Sequence, residues 1–112
     1  MVKSRMILER GDIAWIDFSP TKGHEQSGLR PAVIISPLQY NSFSNIVLVC
    51  PMTTKSKNHP FEVPVDGPDG KSFVLCDHVR SFDTIERVKR LAGKVSELEV
   101  QEILAKISTL FR

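Results

Sequence analysis

Cysteine is nearly absent. The 112-residue chain has two, Cys50 and Cys76, with no short spacing between them and no flanking histidines. That excludes a disulfide scaffold and a structural zinc site, and reads as two buried thiols in a reducing compartment. No apolar run approaches the roughly 20 residues that a membrane-spanning helix needs. The first ten residues hold no hydrophobic stretch of signal-peptide length. A cytoplasmic location is the expectation. Neither sign of charge dominates, because the net charge is only +2. An anionic partner would have to be met by local clustering rather than by a global field. With one Trp and one Tyr, stacking faces come down to Trp15, Tyr40 and a few Phe such as Phe61. Each of these is more simply a core or near-core residue. There is no Gly-rich phosphate loop ending in Lys-Ser/Thr, no nucleophile elbow, no low-complexity segment and no internal repeat.

What remains is ordinary globular material, 41% hydrophobic and 25% charged, enough for one domain over residues 1–112. Residues 12–18, rich in aromatic and β-branched side chains between Gly11 and Pro20, read as a strand. Residues 31–37 and 46–50 are apolar on both faces, as doubly buried strands are, and Pro51 is expected to stop the second. A helical turn fits within residues 38–45. Residues 61–65 alternate, with Pro64 pushing them toward an edge or bulge. Gly67-Pro68-Asp69-Gly70 is a hairpin turn. The return strand is expected to run from Phe73 through Phe82, and a last short strand lies within 87–95. Ser96 with Glu99 three residues on is a capping box. Val100, Ile103, Leu104, Ile107, Leu110 and Phe111 then recur at helical spacing. The predicted architecture is mainly β, about six short antiparallel strands in a small barrel or curled sheet, with a C-terminal α-helix.

Three places hold more chemistry than their local structure needs. The first is Gly23-His24-Glu25-Gln26-Ser27-Gly28-Leu29-Arg30-Pro31, a connection carrying a base, an acid, an amide and a guanidinium. On residue types alone, Arg30 is simply explained by an ion pair with Glu25 that holds the loop shut. The second is Pro51-Met52-Thr53-Thr54, where Thr53 reads either as a local hydroxyl turn or as a donor to an oxyanion. The third is Cys76-Asp77-His78-Val79-Arg80-Ser81, a strand with surface charge or an acid, a base and a cation in one site. If continuous, this strand puts residues 78 and 80 on one face and 77 and 79 on the other.

No His, Cys and Asp cluster has metal-ligand spacing, so neither metal nor cofactor is expected. Hydrolysis would then most simply borrow its nucleophile from the substrate, and RNA carries one in its 2′-hydroxyl. That reaction needs a base, an acid and donors around the phosphorane. Arg30, Thr53, Glu25, His24 and Asp77 supply all three kinds. Lys22, Arg30, Lys55, Lys57 and Arg80 gather the cations in the same three places, with His59 in the second loop.

Residues 10–18, then Pro20-Thr21-Lys22-Gly23-His24-Glu25-Gln26-Ser27-Gly28-Leu29-Arg30-Pro31-Ala32-Val33, resemble the opening of the MazF/PemK toxins. These are the ribosome-independent mRNA interferases of type II toxin–antitoxin modules. The likeness runs on through Ser36-Pro37, Tyr40-Asn41, Pro51-Met52-Thr53-Thr54, Pro60-Phe61-Glu62-Val63 and Asp77-His78-Val79-Arg80-Ser81. It implies an SH3-like small barrel of the PemK/CcdB type, a homodimer, and metal-independent, sequence-specific cleavage of single-stranded mRNA. The implied ends are a 2′,3′-cyclic phosphate and a 5′-hydroxyl, and the implied partner is a MazE-like antitoxin whose disordered acidic tail folds over the groove.

By the same resemblance, Arg30 and Thr53 match the central catalytic pair, Glu25 a loop acid with Gln26 its neighbour, His24 a phosphate-stabilising His, and Asp77 a proposed base. Lys22, Gln26, Lys55, Lys57, His59, His78 and Arg80 then fall to RNA binding. Two positions depart from the pattern. Leu75 stands where one branch has an Arg, and His78 where Gln is usual. An Arg is a poor acid or base by pKa, so Arg30 suits charge stabilisation with some proton shuttling. The base stays open between Glu25 and Asp77. The alternative on the same barrel is a non-enzymatic, CcdB-like gyrase poison, and beyond it a plain SH3-like adaptor.

Overall fold

The strand at the centre of the molecule is β3, Ile46–Thr53, in a computed structural model that describes residues 6–20 and 28–112. Around it stand β1 (Asp12–Asp17), β2 (Leu29–Ile34), β4 (Glu62–Gly67), β5 (Gly70–Leu75), β6 (Arg80–Asp83) and β7 (Val88–Lys94). The helices are α1 (Leu38–Phe43), the single turn α2 (Thr84–Arg87) and the C-terminal α3 (Glu97–Ser108). All seven strands form one antiparallel sheet in the order β4-β5-β3-β2-β1-β7, with β6 also paired to β3. The sheet curls, and its end strands β4 and β7 do not pair with each other. The result is a half-barrel rather than a closed one.

Curling gives two apolar clusters. Ile13, Val33, Cys50, Val63, Val74 and Cys76 meet Val100 and Ile103 of α3 on one side. Ala14, Ile16, Ile34, Val47, Val49, Phe82 and Val88 fill the other. The strands β1, β2 and β3 feed both clusters, which is why their sequences are apolar on both faces. The predicted hairpin forms, with Gly67 opposite Gly70. The capping box also forms: Ser96 Oγ accepts from Glu99 N at 3.1 Å, and Glu99 Oε1 accepts from Ser96 N at 2.8 Å. Gly11 is a glycine for two reasons. Its φ is +98°, and a Cβ there would stand 3.1 Å from Val100 Cγ2.

Four expectations are corrected. Pro51 does not end β3, which continues to Thr53. A proline cannot donate to a ladder, and Pro51 falls where pairing to β6 has stopped at Val49 and pairing to β5 has not begun at Met52. The return strand is not continuous from Phe73 to Phe82. Two residues of β3, Cys50 and Pro51, lie opposite five of the returning chain, Leu75 to Val79, so the surplus bulges out and β5 and β6 are separate strands. The described residues therefore hold seven strands rather than six. Finally, α3 stops at Ser108, and Leu110 and Phe111 lie exposed in a 3-10 turn, outside the apolar stripe. Among the described residues no helix is long and apolar enough to cross a membrane.

Candidate active site

The bulge decides where the third motif goes. Released from the sheet, Asp77 and His78 reach a cavity of about 340 Å3 instead of alternating across a strand. Arg30 from β2 and Thr53 from the end of β3 line the same cavity, with Lys55, Lys57 and His59 of the following segment. Seven of the residues singled out in the sequence thus converge from three separated parts of the chain. Lys22, His24, Glu25 and Gln26 lie outside the described residues, as does the proposed Glu25–Arg30 pair.

Two neighbouring depressions also border Arg30. One, of about 260 Å3, brings Trp15, Thr53, Thr54, Asp69 and Ser72 around it. The other, of about 390 Å3, is lined by Phe18, Ser19, Pro20, Gly28 and Arg80. Arg80 and Asp77 therefore line different depressions, both bordered by Arg30. Its guanidinium lies 5.3 Å from the Phe18 ring centre and 4.8 Å from that of Phe82. Two aromatic faces hold that cation in place.

The side chains are prepared in different ways. The Thr53 hydroxyl accepts from Lys55 N at 3.2 Å, so the local hydroxyl turn exists and the O–H can still donate into the cavity. His78 Nε2 lies 3.7 Å from Asp77 Oδ1. Glu62, which the sequence reading did not single out, is the second carboxylate on the wall. Hydrogen bonds from the Ser56 hydroxyl and then the Lys57 amide hold it below the usual carboxylate range. Its signal was available in the alternation of residues 61–65, where Val63 and Val65 are buried and Glu62 lies on the more exposed face, on the cavity wall. Leu75 adds an apolar patch to the same wall. Trp15 carries Arg90 5.2 Å above its ring, Tyr40 packs edge-on to Phe43, and Phe61 packs against the core.

The neck of the first loop is built of described residues. Phe18 N donates to Gly28 O at 2.8 Å. A Cβ on Gly28 would stand 2.7 Å from Ser19 N, so only glycine permits this approach. Asp17 Oδ1 accepts from the Ser19 hydroxyl and from Ser19 N. Among the described residues no group of three His, Cys, Asp or Glu is arranged to hold a metal ion.

Comparison with known proteins agrees with this placement of elements. A family model for PemK-like, MazF-like toxins of type II toxin–antitoxin systems matches residues 9–111. The endoribonuclease toxin MazF of Escherichia coli (strain K12) is 44% identical over 107 residues, covering 96% of each chain. Endoribonuclease EndoA of Bacillus subtilis (strain 168) is 32% identical over 91% of this chain and 89% of its own. Among solved structures, MazF from Deinococcus radiodurans superposes with a TM-score of 0.78 at 31% identity, covering 95% of this chain and 97% of that one. A MazE–MazF structure from the same organism matches with a TM-score of 0.77 at 29% identity, over 95% and 96%. A half-barrel of this topology, matched over nearly its whole length, makes the chain a member of the PemK-like, MazF-like toxin family of type II toxin–antitoxin systems.

Proposed function

We propose that this toxin is an endoribonuclease that cuts single-stranded mRNA across the Arg30–Thr53–Asp77 cavity, using the substrate's own 2′-hydroxyl. The observation that carries the reading is the convergence of Arg30, Thr53 and Asp77 on one open cavity rimmed by Lys55, Lys57 and His59. In the reaction the 2′-oxygen bonds to phosphorus and the P–O5′ bond breaks. The 2′-hydroxyl proton passes to a carboxylate, and a proton is delivered to the leaving 5′-oxygen. Arg30 balances the charge of the phosphorane, with some proton shuttling, and Thr53 donates to a non-bridging oxygen. The accepting carboxylate is Asp77 on the cavity wall or Glu25 on the loop, and the separate rates of Asp77→Asn and Glu25→Gln distinguish them. No metal takes part.

Sequencing the ends of a cut RNA tests the chemistry. The expected ends are a 2′,3′-cyclic phosphate and a 5′-hydroxyl; a 5′-phosphate would overturn the route. Cleavage of this kind in the cytoplasm stops translation and growth. The relatives named as endoribonucleases weigh against a gyrase poison on the same fold.

The partner is a MazE-like antitoxin, in line with the MazE–MazF complexes among the structural neighbours. Its acidic tail would cover the cationic rim. The toxin itself works as a homodimer. Exposed apolar side chains such as Phe43, Leu98 and Phe111 are surface suited to assembly. Sedimentation at micromolar concentration is expected to show the dimer.

A further inference from the structure

Residues 54–60 belong to no strand or helix, yet they alternate like one. Lys55, Lys57 and His59 line the cavity. The positions between them hold the segment. Ser56 Oγ donates to Glu62 Oε1 at 2.6 Å and accepts from Asn58 N at 3.0 Å. Pro60 O accepts from Lys106 Nζ of α3 at 2.6 Å. The backbone joins in, because Lys57 N donates to Glu62 Oε2 at 2.9 Å. Asn58 takes a φ of +54°, a conformation that Asn tolerates. One carboxylate, fixed at the first residue of β4, therefore grips a side chain and the neighbouring backbone amide with its two oxygens.

We propose that Glu62 is a positioning residue for RNA binding: its carboxylate holds residues 54–60 in one shape, so that Lys55, Lys57 and His59 meet the strand as a ready-made row. Ordering three such side chains and their backbone during binding would weaken it, and the clamp removes that cost beforehand. The proposal makes a prediction against simple electrostatics. Deleting a negative charge beside a polyanion's groove should tighten binding, whereas loss of the clamp should weaken it.

The inference rests on the RNA reading for its binding arm, and an exchange arm stands apart from it. In Glu62→Ala neither carboxylate oxygen remains, so the Ser56 hydroxyl and the Lys57 N–H both lose this partner. Hydrogen exchange followed by NMR is expected to show the Lys57 amide exchanging about tenfold faster, with the Val74 amide of β5 unchanged. Affinity for a single-stranded RNA with 2′-O-methyl riboses, which cannot be cut, should fall about tenfold at fixed salt. The slope of log affinity against log salt should stay as in the wild type, because Glu62 neutralises no phosphate. Lys57→Ala should lower that slope by about 0.7. Ser56→Ala, which removes one of the two bonds, should shift exchange and affinity the same way by less. Unchanged Lys57 exchange in Glu62→Ala would overturn the clamp. Faster exchange with unchanged or tighter RNA binding would overturn its role in recognition. A wild type that binds no RNA would overturn the functional reading and this role together, while the exchange result still decides the clamp.

Discussion

Arg87 Nη1 lies 2.5 Å from the carbonyl oxygen of Ser19, and the same nitrogen donates to Asp17 O at 3.2 Å. Some seventy residues apart in the chain, the two ends of this contact belong to α2 and to the first loop's neck. The side chain is mostly buried, at 20% exposure. A guanidinium serving two carbonyls in such a setting is worth more than a neutral pair. Arg87→Met is expected to cost about 1–3 kcal/mol in urea unfolding. It should also slow RNA cleavage, since Arg87 ties down Asp17 and Ser19, and Phe18 between them bonds Gly28, two residues before Arg30. Full stability in the variant would show that the contact contributes nothing.

The acid limb of stability follows from two carboxylates. The Ser19 hydroxyl and amide, with help from Arg87, hold Asp17 below its usual value. Ser56 and Lys57 do the same for Glu62. A carboxylate whose folded pKa is depressed stabilises fully above its unfolded value, and this is lost as pH falls through the folded one. Stability is thus expected to be flat from about pH 7 to 5 and to fall below about pH 4. Asp17→Asn should show a shallower acid decline in urea midpoints; an unaltered decline would contradict the assignment. The opposite sign holds for Lys94, raised by hydrogen bonds to Asp12 and Glu9, whose contribution is lost only in strong alkali.

The two thiols should be inert. Burial pushes both Cys50 and Cys76 up to about 12, and neighbouring Cys76 adds to the shift of Cys50. At pH 8 in the native protein a thiol-specific disulfide reagent is expected to label neither within minutes, and to label both in denaturant. Rapid labelling of either in the folded state would show that the core opens.

Local signals carried most of the fold. The strand at Asp12–Asp17, the hairpin at Gly67–Gly70 and the Ser96–Glu99 capping box each involve residues within a few positions of one another, and each is present. The one-turn helix α2 carried such a signal unread: Asp83 Oδ1 accepts from Ile85 N and Glu86 N, both at 2.9 Å. What local pattern could not disclose was register. The bulge from Leu75 to Val79 exists because β5 and β6 pair with β3 at different offsets, a relation between distant strands. That bulge turns Asp77 and His78 into the cavity. Glu62 went unnoticed for the same reason, since its partners Ser56 and Lys57 are brought to it by the fold of a whole segment. For Arg30, residue types pointed to an ion pair, family resemblance to catalysis. The fold sets it at the border of three depressions at once.

The most direct test of the account is cleavage of a long single-stranded RNA by purified protein in EDTA, wild type beside Arg30→Ala. The wild type is expected to cut at a short recurring sequence. The variant should keep its fold by circular dichroism and lose activity by a factor of about 100 to 1,000 or more, as removal of a transition-state donor does. Cleavage by the folded variant at the wild-type rate, or none by the wild type across varied RNAs, would contradict it.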